Sequence, residues 1–119
     1  MWYILDENDN PVAANPLVAG RWFGDKSNNH KRVIAVDEFE NDVSLSTVFL
    51  ALDHSHTPGK VLLYESLWFG GPLDGEMRRY STREEALAGH HEMLAEYNSK
   101  REMMEATEKI VKKIIEKNL

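Results

Sequence analysis

Between Met77 and Ala86 the spacing of apolar residues changes, and this switch limits the possible folds more than any other feature of the chain. Upstream, apolar and polar residues alternate in short runs, the period of strands with one buried face. Downstream, apolar residues recur every three or four positions, the period of a helix with one buried stripe. Strands followed by helix make an α+β chain rather than an alternating α/β one. Ser81 and Thr82 mark the change, because each has a glutamate three residues on (Glu84 and Glu85), giving two overlapping capping-box registers.

Several strands can be placed before the switch. Trp2–Leu5 reads as a short strand, turned by residues 6–11 into a return through Val12 and Ala13. Asn15-Pro16 is an N-cap with proline at the first helical position, so Leu17–Phe23 is expected to form a short helix. Arg32–Phe39 and Val43–Leu52 read as strands joined by the turn Glu40–Asp42. On the second of these, Val43, Leu45, Thr47, Phe49 and Ala51 share one side, while Ser44, Ser46, Val48, Leu50 and Leu52 share the other. Its apolar second half predicts a central position, covered on both faces there. Val61–Phe69 is the antiparallel return, and the turn Gly70–Gly75 leads to a last strand over Met77–Tyr80. A mostly antiparallel sheet of four to five strands follows.

The helix after Thr82 places Ala86, Leu87, His90, Met93, Leu94 and Tyr97 on one stripe, which should lie across the sheet. Asn98-Ser99 reads as a weak break. Beyond it Met103, Met104, Ile110, Val111, Ile114 and Ile115 form a second, narrower stripe, which could fold back, run on, or meet a partner. The expected organisation is one domain over residues 1–99 with a helical extension over 100–119, and one or two C-terminal helices in all.

Composition removes several functions. The chain has 119 residues and no cysteine, so disulfides, thiolate metal sites and cysteine catalysis are excluded. No apolar run is long enough to suggest a membrane span, and the start Met1–Asp6 lacks the basic leader of a secretion signal. Net charge is −6, with 7 basic against 12 acidic residues before Thr82. Such a surface repels nucleic acid and suits a basic protein partner.

Three segments carry a resemblance: Val43–His54 with its Leu-Asp-His ending, Leu63–Gly71 with Phe-Gly-Gly, and Arg79–His90 opening Arg-Tyr-Ser-Thr. They resemble a group of small, functionally uncharacterised proteins common in bacteriophage and prophage genomes, over roughly residues 1–95. The group brings no established activity. The resemblance implies phage origin and an accessory role in the host cytoplasm.

Chemistry-bearing patterns are few. Asp6, Asn8 and Asn10 have the spacing of a calcium loop, but Pro11 stands where that loop needs glycine, so a hairpin turn is expected. Asp53, His54 and His56 at a strand end, with Glu65 and His90 elsewhere, could supply metal ligands. The competing reading has His54 bonding locally and His90 packing at the helix–sheet margin. No Gly-x-Ser-x-Gly elbow accompanies the serines, and Pro72 breaks any phosphate cradle at Gly70–Gly75. No catalytic residue and no cofactor is expected. The richer lead is the turn that holds Asp74 and is flanked by Trp68, Phe69, Met77, Arg78, Arg79 and Tyr80, because Trp, Tyr and Arg dominate binding hot spots. The expected function is therefore a non-enzymatic phage accessory protein binding a host or phage protein through Trp68, Phe69, Asp74, Met77, Arg79 and Tyr80. Inhibition of a host defence or metabolic complex is one form of that role. The rival readings are a metal-dependent enzyme or metal-binding module using His54, His90 and Glu65 or Asp53, and a structural component self-assembling through the C-terminal helix. No nucleic-acid or membrane partner is expected.

Overall fold

The computed structural model describes residues 1–119 and has an α+β architecture. Strands β1 (Trp2–Leu5) and β2 (Pro11–Ala14) form a small antiparallel hairpin. The carboxylate of Asp6 accepts the amides of Asn8 and Asn10 at 2.8 and 2.9 Å and so closes the turn between them. Helix α1 (Pro16–Gly24) starts as the sequence predicts, with the Asn15 side chain accepting the Val18 amide. After α1 come a 3-10 turn (Lys26–Asn28) and the one-turn helix α2 (Asn29–Arg32).

The main sheet consists of β3 (Val33–Phe39), β4 (Val43–Phe49), β5 (Tyr64–Phe69) and β6 (Met77–Tyr80), antiparallel throughout and ordered as they occur in the chain. Strand β4 ends at Phe49, three residues before its predicted end. Ala51 takes a left-handed conformation (φ 63°), its carbonyl accepts the Tyr3 amide, and Leu52 bridges to Trp2. That kink carries the chain from the main sheet to the N-terminal hairpin.

Helix α3 spans Arg83–Lys117 without interruption, so the predicted break at Asn98-Ser99 is absent. Neither residue is a strong helix former, but each costs only a few tenths of a kcal/mol, too little to stop a helix with no cap or glycine there. Thr82 is the N-cap, accepting the Glu85 amide at 3.1 Å, while the Glu85 carboxylate accepts the Ser81 amide at 3.2 Å. At about 1.5 Å per residue, the 35 residues of α3 dominate the longest dimension of the molecule, 68 Å.

All buried side chains of β4 and β5 lie on the face under α3: Val43, Leu45, Thr47 and Phe49 on one, Tyr64, Ser66 and Trp68 on the other. Two apolar clusters occupy the ends of this face. One joins Leu5, Phe49, Tyr64 and Ala86, with Trp22 and Phe23 of α1 packed against Phe49. The other joins Leu45, Trp68, Met93 and Tyr97. Helix α1 thus shares the α3 side of the sheet. The two-sided cover predicted for the second half of β4 is not there, because the only other helix of any length packs on the same face.

Candidate functional site

The strand register defines what the opposite face presents. One row runs Glu38–Ser44–Phe69, the next Val36–Ser46–Leu67–Met77, and a third includes Val48, Glu65 and Arg79. Val36, Phe69 and Met77 are 48%, 48% and 49% exposed, a level that leaves large apolar area in water. Glu65 and Arg79 pair across β5 and β6 at 3.0 Å and close one side of the patch. At the other side lie Glu38 on β3 and, on the turns after β3 and β5, Glu40, Asp42, Asp74 and Glu76, all exposed. Those turns touch: a Cβ on Gly70 would lie 2.6 Å from the Asp42 carbonyl oxygen, and both Gly70 and Gly71 have positive φ. The result is an apolar sheet face with an acidic rim.

The residues expected at a partner surface divide between the two sides. Phe69, Met77 and Arg79 lie together on the open face. Asp74 is exposed at the rim, where its carboxylate also accepts the Gly70 amide at 2.7 Å and holds the turn. Trp68 does not belong to a surface. It is 1% exposed, packed between Tyr97 (ring centroids 4.7 Å apart) and Phe39 (6.0 Å), because its strand position faces α3. Tyr80 is likewise turned to α3, half-buried against Gly89 with its hydroxyl donating to Met93 Sδ at 3.7 Å. Arg78 reaches across to the helix, where its Nη2 donates to both carboxylate oxygens of Glu96 at 2.9 and 2.7 Å.

The histidines do not converge. His90 is buried at the centre of the α3 face, with Nδ1 2.7 Å from Thr47 Oγ1 and Nε2 2.7 Å from Asp37 Oδ2. Thr47 Oγ1 lies 2.5 Å from Ser66 Oγ. A carboxylate only accepts, so His90 Nε2–H donates to Asp37. In a neutral imidazole Nδ1 then accepts from Thr47, which accepts from Ser66. Both ring nitrogens are thereby occupied, and the two hydroxyls are fully buried, beyond reach of a substrate. The arrangement has the composition of a hydrolytic triad and the burial of a structural network. His54 sits instead at the entry to the loop after β4. There the neighbouring Asp53 carboxylate accepts the Ser55 and Leu62 amides at 2.8 and 2.9 Å, bonds that lower its pKa from the usual carboxylate value. No three of the His, Asp and Glu side chains come together as a metal site.

One concavity has inward polar groups that sequence reasoning did not single out. A cleft of about 240 Å³ lies between the β1–β2 turn and the start of α3, lined by Asp9, Asn10, Tyr64, Ser81 and Arg83 among others. The Tyr64 hydroxyl is buried there without a hydrogen-bond partner in the protein, and burial raises its pKa above the ordinary tyrosine value. Tyr64→Phe should therefore be neutral or stabilise the protein by up to about 1 kcal/mol, since it removes a desolvated hydroxyl and no bond. Urea denaturation checks this, and a loss of more than about 1 kcal/mol would show that the hydroxyl is bonded in solution.

No helix is long and apolar enough to cross a membrane. Compared with models of known protein families, with curated proteins and with solved structures, the chain matches none of them.

Proposed function

We propose that the chain is a non-enzymatic accessory protein of bacteriophage, working in the host cytoplasm by binding a host or phage protein through the open face of its sheet. The observation that carries the reading is the half-exposed set Val36, Phe69 and Met77 on the face opposite α3. Apolar surface gathered on one face and rimmed by charge is the usual mark of a protein-interaction site. The partner that fits has an apolar patch edged by lysine and arginine, because Glu38, Glu40, Asp42, Asp74 and Glu76 line the rim. A protein of this kind can inhibit a host complex simply by occupying such a surface. The phage setting rests on the resemblance of residues 43–54, 63–71 and 79–90.

Affinity capture from host lysate with the wild-type protein, Phe69→Glu and Met77→Glu tests the reading. Both side chains lie outside the α3 core, so each variant should keep the wild-type far-ultraviolet spectrum and melt within a few degrees of it. A buried aromatic or methionine anchor is worth about 2 kcal/mol at an interface, or roughly 30-fold in affinity. Each variant should lose the captured protein, and equal retention by both would remove the sheet face from consideration.

A further inference from the structure

The geometry points to the projecting end of α3 as a self-association helix that pairs antiparallel with a second copy of the chain. This goes beyond binding at the sheet face and uses none of its residues. Tyr97 is the last buried residue of α3. Arg101 still packs its guanidinium over the Tyr97 and Phe39 rings, each at 5.6 Å, and past that point nothing in the protein touches the helix from the sheet side. Yet Met103, Met104, Ile110, Val111, Ile114 and Ile115 form a continuous apolar stripe, with Ile110 and Ile114 59% and 55% exposed. A helix with no tertiary contacts is marginal in water, and isoleucine and valine are not the residues that would hold it by propensity alone.

Within the stripe, Met104, Thr107, Val111 and Ile114 follow the alternating three–four spacing of a helix-pair seam, while Met103, Ile110 and Ile115 widen it. Thr107 fits such a seam because its hydroxyl donates to the Met103 carbonyl at 2.9 Å and so makes no polar demand on a partner.

The flanking charges select the occupant and its direction. Glu102, Glu105 and Glu108 make the first half of the segment acidic, whereas Lys109, Lys112, Lys113 and Lys117, against Glu116 alone, make the second half basic. Two parallel copies would set like charge beside like. Two antiparallel copies set each acidic half beside a basic one. The midpoint of the stripe is Lys109, the residue at which the sign changes. Antiparallel pairing about it puts Met104 opposite Ile114 and Thr107 opposite Val111, apolar against apolar through the seam. All these residues lie beyond Tyr97, so the two sheets stand at opposite ends of the pair without colliding.

Sedimentation equilibrium of the full chain across a range of concentrations should give a species of twice the 13.7 kDa chain mass that dissociates on dilution. Val111→Glu with Ile114→Glu should yield monomer at every concentration while the near-ultraviolet signal of the sheet aromatics stays unchanged. The absence of native cysteine allows the direction to be read directly. Under oxidation a mixture of Met104→Cys and Ile114→Cys proteins should cross-link one to the other, and neither should cross-link to itself. Monomer at all concentrations overturns the inference, as does a dimer that survives the double glutamate variant. Self-cross-linking of Met104→Cys alone would show parallel pairing and overturn it equally.

Discussion

His90→Leu should destabilise the protein by about 2–4 kcal/mol, although leucine is apolar and close to histidine in size. The Thr47 hydroxyl would lose its acceptor in a place no water reaches, while Asp37, half-exposed, would turn to solvent. The loss should appear as a thermal midpoint lower by roughly 10 °C for a domain of this size. The network interpretation makes a sharper demand on a multiple variant. Thr47→Val and Ser66→Ala added to His90→Leu remove the stranded donors along with their partner. The triple variant should recover most of the lost stability, because replacing a whole polar set by apolar groups of similar shape is far cheaper than breaking it. Differential scanning calorimetry of the single, double and triple variants decides the matter. A triple variant less stable than His90→Leu by the sum of the other two losses would mean that these residues act independently.

Gly89→Ala should also destabilise, by about 2–3 kcal/mol, against the direction that helix propensity alone would give. Alanine in a helix interior is favoured over glycine by about 1 kcal/mol. Here a Cβ at position 89 would overlap Cε1 and the hydroxyl of Tyr80, so the ring must leave its place between β6 and α3. The cause can be isolated by changing the obstructing side chain. In a Tyr80→Val background the same Gly89→Ala substitution should be neutral or stabilising by up to about 1 kcal/mol. Chemical denaturation of the two pairs reads a change of sign, and a loss of similar size in both backgrounds would place the strain elsewhere.

Much of the fold is legible in the sequence because local signals agree with one another. The Asn15-Pro16 start of α1 and the alternation along Val43–Phe49 each stand as expected, and of the two capping registers the sequence offers, at Ser81 and Thr82, the structure takes Thr82. The side of the sheet taken by α3 is not legible. Alternation sorts Leu45, Phe49 and Trp68 from Val48, Leu67 and Phe69, but both sets are apolar, and periodicity does not say which set meets the helix. Residue type alone therefore assigns Trp68 and Tyr80 to a surface when they are packed, in the same step that assigns Phe69 and Met77, which are half exposed. The buried network is hidden for another cause. His90 falls in the helical stripe, but its partners Thr47 and Ser66 become neighbours only through the β4–β5 register. Three inward polar positions on three adjacent elements are the available signal. Gly89 leaves a fainter one, a glycine in the middle of an otherwise strong helical pattern, whose reason lies on a strand.

The order of β3, β4, β5 and β6 across the sheet is their order along the chain, joined by the short turn 40–42 and the longer loops 50–63 and 70–76. Each pairing then closes a loop of modest length, so the entropy lost at each step is small and is offset at once by the hydrogen bonds and packing of the newly added strand. The sheet can assemble by zipping outward from any hairpin, with no distant segment required first. The polar contacts of His90 with Asp37 and Thr47 join residues 53 and 43 positions apart and so close far longer loops. Docking of α3 onto β3 and β4 is therefore expected to be the late step, so that substitutions such as Thr47→Val should mostly accelerate unfolding rather than slow refolding, as stopped-flow chevrons would read.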